Sequence, residues 1–271
     1  MSLSQSCCSG SRKIKLKSSL TMTALFVSVV AATSSVHAGI TQINYASVTV
    51  DGREGFDAFS GASNPVNSDA IYSNNGMSFG KYFNGQQLAV ETGSVSGTTE
   101  YWDRLDGSAT GPLTLMAGAA NKNLGFFGFP GLGGVMAGGG PVGGTTGFGP
   151  SGSGAGSIAV MFDADVAACG LKIVGFNGGT ANFSFFRRDG SLIGSMSIVL
   201  PGSPDFGSGL VTESLGFQSG TGTSEIAGFT MWNTDKWGVG VDDFVFGGAA
   251  VPAPGAITVL GVAGFLGRRR R

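Results

Sequence analysis

Histidine is almost missing from this chain: there is one, His37, in 271 residues. It falls in a leader-like segment, so the exported part can build no Ser-His-Asp or Cys-His pair, no His-ligated zinc and no imidazole acid-base. Cysteine is nearly as scarce, with Cys7, Cys8 and Cys169. The first two share the leader, which leaves Cys169 without an intramolecular partner. Disulfides are thereby excluded, and a packed core has to supply the stability. Cys169 sits in the apolar stretch VAACGLKIVGF and reads as a small buried hydrophobe rather than a reactive thiol. Charged residues make up only 12% of the chain, and long helical periodicity is absent.

What charge there is lies unevenly. The formal net charge is −1, yet Arg12, Lys13, Lys15 and Lys17 sit near one end and Arg268 to Arg271 at the other. All seventeen acidic residues fall between Asp51 and Asp243, against eight basic ones in the same middle, a formal balance of −9. An acidic domain of low charge density argues against nucleic acid, whose phosphates require clustered Lys and Arg. It is compatible with divalent cations.

The two ends explain where the basic residues went. Behind the basic n-region, Leu20 to Ala32 is apolar enough for an h-region, and Val36-His37-Ala38 places small residues at −3 and −1. This is the layout of a signal peptide, residues 1–38, cut by signal peptidase after delivery to the secretory machinery. The other end carries Val251-Pro252-Ala253-Pro254-Gly255, an apolar run from Ala256 to Gly267, and Arg268, Arg269, Arg270 and Arg271. Apolar residues partition into lipid and the arginines stay on the cytoplasmic side. The run is about half of the ~20 residues that span a bilayer comfortably, which suits a transient membrane insertion and a short hydrophobic helix. This tail, residues 249–271, resembles the PEP-CTERM sorting signal of bacterial exosortase substrates, in the variant of planctomycete-like bacteria. Ala253 stands where the family name implies Glu. The resemblance implies an exosortase-like membrane protease as partner, and residence in the cell envelope, at the cell surface or in the extracellular matrix.

Between the ends, residues 39–248 are ample for one sizeable domain. Short β-type runs recur between Gly, Asn, Ser and Asp turns: 42–50, 87–91, 157–162, 170–176, 181–187, 192–200, 225–232 and 238–246. Many alternate apolar with small or polar residues, as half-buried antiparallel strands do. Arg188-Asp189-Gly190-Ser191 is a hairpin turn, because Asp-Gly supplies positive φ at low cost. Strands at short spacing without helices predict an all-β fold, an antiparallel β-sandwich or jelly roll. The Gly-rich segment 118–156 predicts a surface loop, since its composition fills a core poorly. Its Phe126, Phe127, Phe129 and Phe148 are expected to pack on the sheet or on another molecule. Its GxGxxG-like fragments follow no strand-to-helix turn and carry no nucleotide-binding signal.

The run Trp237-Gly-Val-Gly-Val-Asp242-Asp243-Phe-Val-Phe246 reads as the closing strand. Strict alternation puts Asp242 on the face of Phe244 and Phe246, so a core-facing Asp242 would need a partner. A hard, oxygen-preferring cation such as calcium is one solution; a turn cap or bonds to backbone amides is another. The pattern V-D-D-F-x-F is similar to the last strand of jelly-roll carbohydrate-binding modules. That resemblance implies a structural calcium ion held by Asp242, with Glu54 or Asp57 as second ligand. Asp163 and Asp165 form a weaker pair that reads as a strand end. Trp102, Trp232 and Trp237 are candidates for stacking on sugar rings, although most such rings are core. The leading expectation is therefore a non-catalytic exported surface or matrix protein, the alternative a carbohydrate-binding module for extracellular polysaccharide. A hydrolase using two carboxylates ranks last, because no spacing singles out a pair.

Overall fold

The structure, a computed structural model, describes residues 39–62, 66–95, 97–129, 132–141, 154–175, 178–201, 212–235 and 237–248. Residues 1–38, expected to be a leader, residues 249–271, expected to be a sorting tail, and Phe148 lie outside the described residues. Strands begin with β1 (Ile40–Ile43), β2 (Gly52–Glu54), β3 (Val66–Ser68), β4 (Tyr72–Asn74), β5 (Met77–Gly80) and β6 (Tyr82–Phe83). They continue with β7 (Gln87–Val95), β8 (Thr98–Asp106), β9 (Leu115–Met116), β10 (Leu124–Phe129), β11 (Gly133–Gly138) and β12 (Ile158–Val166). The last six are β13 (Ala168–Val174), β14 (Thr180–Phe186), β15 (Leu192–Val199), β16 (Thr212–Ser219), β17 (Ile226–Asn233) and β18 (Gly240–Gly247). The described helical structure is two single 3-10 turns, Tyr45–Ser47 and Asp57–Phe59, so no described helix is long and apolar enough to cross a membrane.

The strands form the expected antiparallel β-sandwich. One sheet runs β1-β16-β13-β18-β11-β10-β3, with β2 also paired to β18, and the other runs β15-β14-β17-β12-β5-β4. The chain crosses between the sheets repeatedly from β12 onward, which interleaves their inner faces. Phenylalanines fill the space between: Phe183 and Phe185 of β14 meet Phe217 of β16 at ring-centroid distances of 4.8 and 5.0 Å. Phe79 of β5 meets Phe244 of β18 edge-on at 5.1 Å. Rings at these distances add to the burial term through their quadrupoles. Cys169 belongs to the same core, and burial drives its thiol pKa far above the ordinary range, so it packs as the small hydrophobe expected.

The β14–β15 hairpin turns at Arg188 to Ser191 as expected: Gly190 takes φ +83° and the Asp189 carboxylate accepts the Ser191 N–H at 2.9 Å. Two other expectations fail. The run 42–50 is not one strand, because β1 ends at Ile43 and a 3-10 turn follows, capped by the Asn44 side chain. The Gly-rich segment is not simply a loop. Its first half forms β10 and β11, paired in register from Leu124↔Gly138 to Phe129↔Gly133 and built into the larger sheet. Phe126 enters the central core, while Phe127 and Phe129 pack with Leu132 and Val135 in a separate cluster. Glycine is required here rather than merely tolerated. A Cβ on Gly134 would lie 1.7 Å from the Phe56 carbonyl oxygen, so the turn before Asp57 can press directly on β11.

Asp163 and Asp165 do not end a strand: both lie within β12, exposed, beside its register shift against β17, and Asp165 pairs with Arg188 at 2.8 Å. The β7–β8 hairpin lies against β17.

Candidate functional site

The closing strand departs from its predicted alternation at one point. Val241 and Phe244 both belong to the central core, three residues apart. Against β13 the register runs Lys172↔Asp242 and then Gly170↔Val245, so β18 spends one extra residue there. Asp243 absorbs the irregularity with φ +49°, a left-handed conformation that Asp tolerates better than most residues. The bulge resets the parity of the strand. Asp242 and Asp243 are therefore carried away from the face of Phe244 and Phe246, which corrects the reading by strict alternation.

Both carboxylates come to rest where the pairing of β18 passes from β11, at Val241, to β2, at Phe244 to Phe246. The chain linking β2 to the turn at Asp57 closes over them. A Cβ placed on Gly55 would have Asp243 Oδ1 at 3.4 Å and Asp242 Oδ1 and Asp57 Oδ2 each at 3.7 Å. Three carboxylates thus converge on one small volume, and two of them are strongly enclosed: Asp242 is 4% exposed and Asp243 7%.

Their environments push them apart electrostatically. Asp243 Oδ2 accepts from Lys172 Nζ at 2.5 Å, and Oδ1 accepts from Arg53, including Nε at 3.0 Å. Burial alone would raise the Asp243 pKa, but the bonds and charges of Lys172 and Arg53 outweigh it and hold the group below its usual range. Asp242 has no comparable salt bridge among the described residues. Burial pushes its pKa up to about 7; the N–H of Asp243, donating to Oδ1 at 2.6 Å, and the Lys172 charge oppose this, while Asp243 and Asp57 add to it. Near neutrality Asp242 is poised between acid and carboxylate. Tyr45 completes the surround, its hydroxyl donating to the Asp243 carbonyl at 2.7 Å and its pKa raised to about 12 by burial and by Asp243.

Of the two partners expected for Asp242, only Asp57 is near it in this sense. Glu54 is engaged elsewhere: Oε1 accepts the Phe56 N–H at 2.8 Å and Oε2 accepts from Asn75 at 3.1 Å, locking the corner that leads into the notch. Among the described residues no three His, Cys, Asp or Glu side chains are grouped as a metal-ion site. Asp57 and Asp242 are the residues that could hold a hard cation here, since Asp243 already carries two cationic side chains.

The three tryptophans do not assemble into one platform. Trp102 is 4% exposed, and its indole N–H donates to the Asp235 carbonyl at 2.6 Å, tying β8 to the loop between β17 and β18. This is the core alternative for that residue. Trp232, on β17, is half-buried, whereas Trp237 is 41% exposed. The loop beneath Trp237 is well held: Asn233 accepts the Asp235 N–H at 3.0 Å, and the Asp235 carboxylate accepts the Trp237 N–H at 2.9 Å.

Sequence reading anticipated none of the ion pairs, and the most deeply buried of them stands apart. Lys81 and Asp103 meet with side chains 2% and 7% exposed. A lone lysine in the run FGKYF, between apolar strand residues, was the available signal.

No family model matches this chain, and no curated protein matches it. Among solved structures it is similar to an isomalto-dextranase from Arthrobacter globiformis T6 in complex with panose, at 12% identity and a TM-score of 0.27. That likeness covers 63% of this chain, and the chain spans about a third, 35%, of the length of that enzyme. At such a score the likeness carries no argument about what this chain does.

Proposed function

We propose that this chain is an exported, non-catalytic protein of the cell surface or extracellular matrix, delivered by its leader and sorted by an exosortase-like protease through residues 251–271. The observation carrying the reading is the order of parts in the sequence. A basic-apolar leader and a Pro-Ala-Pro, apolar and tetra-arginine tail flank an acidic segment in which no histidine remains. The way the sandwich uses its charges supports it. Described carboxylates are drawn into pairs that tie neighbouring segments together: Asp243 to Arg53 and Lys172, Glu225 to Arg187, Asp165 to Arg188, and Glu91 to Arg104. Charges used as struts hold a scaffold. The test is localisation of the full chain and of a version ending at residue 248, both expressed in a bacterium that carries an exosortase. Retention in the envelope with a clipped tail, lost on truncation, is the expected result; equal release of both forms sinks the sorting reading.

The second reading, binding of extracellular polysaccharide, is favoured by Trp237. An exposed ring on a loop pinned by Asn233 and Asp235 loses little freedom when a sugar face stacks on it. Affinity electrophoresis in polysaccharide gels should show retardation that Trp237→Ala removes. Retardation undiminished in that variant eliminates Trp237 as the stacking residue.

A further inference from the structure

Lys81 and Asp103 face each other in a place made for neither of them as free ions. Lys81 follows β5 and Asp103 lies on β8, and both are gripped by their backbones. The Lys81 N–H donates to the Met116 carbonyl at 2.9 Å, its carbonyl accepts from the Ser157 hydroxyl at 2.9 Å, and the Asp103 N–H donates to the Ala155 carbonyl at 2.9 Å. The side chains are confined as well. Lys81 Nζ touches Asp103 Oδ2 and the Gly139 carbonyl oxygen together. A Cβ on Gly156 would sit 2.5 Å from the same nitrogen, so glycine closes the wall against the amine. Water has little access. A buried ammonium–carboxylate pair has given up most of its hydration, and its mutual attraction recovers that loss only in part.

We propose that Lys81 and Asp103 are joined in the folded protein by an amide bond between Lys81 Nζ and Asp103 Cγ. The atoms balance without any co-reactant. The ammonium passes a proton to the carboxyl group, and the freed nitrogen lone pair attacks Cγ. Oδ1 then leaves as water, taking two of the three hydrogens that Nζ carried. Nothing is oxidised or reduced, and two opposite charges become one neutral amide plus water.

The surroundings suit the product as well as the reactants. The single hydrogen left on Nζ still has the Gly139 carbonyl oxygen as acceptor. Oδ2, now the amide oxygen, still accepts the Ser157 N–H, which reaches it at 3.0 Å and polarises the carboxyl group before attack. In water the strong hydration of the separated ions and the high concentration of water favour hydrolysis. In this dry enclosure both factors are reduced, and fixed contact raises the effective concentration of the amine. Burial also lowers the Lys81 pKa, partly offset by Asp103, which favours the neutral nucleophile. The bond would fasten the β7–β8 hairpin to a sandwich whose described residues hold a single cysteine, Cys169, and so no disulfide.

Tryptic peptide mapping of the purified full chain decides the matter, because Arg53, Lys81 and Arg104 are cleavage points. The expected result is one peptide spanning 54–104, uncut after Lys81 and lighter by one water, about 18 Da. Its fragmentation should yield no backbone ions between 82 and 102. Separate peptides 54–81 and 82–104 at full mass overturn the proposal. A peptide 82–104 that has lost water while cleavage after Lys81 proceeds overturns it too, since that marks cyclisation of an aspartate on its own backbone. Asp103→Ala should restore both peptides. Should that variant fail to fold, the map of the unaltered protein still gives the answer.

Discussion

Two charged centres of this sandwich solve the same problem in opposite ways. At the β18 bulge, Asp243 keeps its charge because Lys172 and Arg53 reach it from partly exposed positions, with side chains 34% and 61% exposed. Its neighbour Asp242, equally enclosed but without such a salt bridge, yields by shifting its protonation toward neutrality. At Lys81 and Asp103 an amine and a carboxyl group face each other in a drier enclosure, with only a carbonyl and a backbone N–H beside them, and there the charges can be given up altogether by forming the proposed amide. Access to water sets the difference. A centre that can borrow long, solvated side chains stays ionic at modest cost, whereas a sealed one depends wholly on its own stoichiometry.

The sealed centre should therefore be the harder one to disturb safely. Lys81→Met strands the Asp103 carboxyl group in the interior and should cost about 3–5 kcal/mol. For a domain of this size that corresponds to a fall in melting temperature of roughly 6–20 °C, measurable by calorimetry. A fall of only a degree or two would show that Asp103 stays buried without help from Lys81.

The bulge gives a smaller effect with a definite sign in pH. The folded pKa of Asp242 is raised from 3.8 to about 7, so between those values the native state holds a proton that the unfolded state has lost. Stability then declines as pH rises through this window and levels off above it. Asp242→Asn removes the penalty. Denaturant melts should show the variant gaining up to about 4 kcal/mol at pH 8 and nothing near pH 3.5. A calcium ion held by Asp242 and Asp57 reverses that sign, because the ion would stabilise the wild type above pH 7 and EDTA would abolish the advantage. Melting at pH 8 with and without EDTA separates the two cases.

Arg53→Ala probes the solvated side of the same notch. Lys172 remains on Asp243, and an exposed guanidinium contributes no more than about 1 kcal/mol. A loss that shrinks further in 1 M salt fits a screened surface pair; a larger, salt-independent loss would mean that Asp243 is as sealed as Asp103. Smallest in stability is Trp237→Ala, expected to stay within about 0.5 kcal/mol while it removes polysaccharide retardation. Trp102→Ala should behave conversely, unfolding the protein earlier by calorimetry, because its indole is enclosed and bonded to the Asp235 carbonyl.

Much of the sandwich was legible in the residues. The alternating runs from 157 onward became strands within a few residues of their expected bounds, and Asp189-Gly190 made its hairpin, because pleat and turn are local properties. The strands β2 to β6, β8 to β11 and β16 went unread. Several are too short for a period to register, and β10 and β11 look like linker composition until the backbones that crowd against Gly128 and Gly134 are known. The site was half legible. Asp242 and Asp57 were both named from the sequence, and the structure brings their carboxylates together beside Gly55. The face Asp242 occupies could not be read, since a bulge depends on how β13 lies beside β18. Lys81 and Asp103 are 22 positions apart in sequence with nothing in their spacing to link them.

By itself, then, the amino-acid sequence determined the class of fold and the residue types at hand between 39 and 248: no histidine, one cysteine, an acidic balance, and alternation that only sheets can bury. The single cysteine and the missing histidine hold for residues 39–248, and they follow from composition as the sheet class follows from dihedral preferences within a few residues. Tertiary structure alone decided which charges share an enclosure, which tryptophan faces water, and where glycine is obligatory. Those outcomes depend on distances between segments remote in the chain, and such distances exist only once the two sheets have packed.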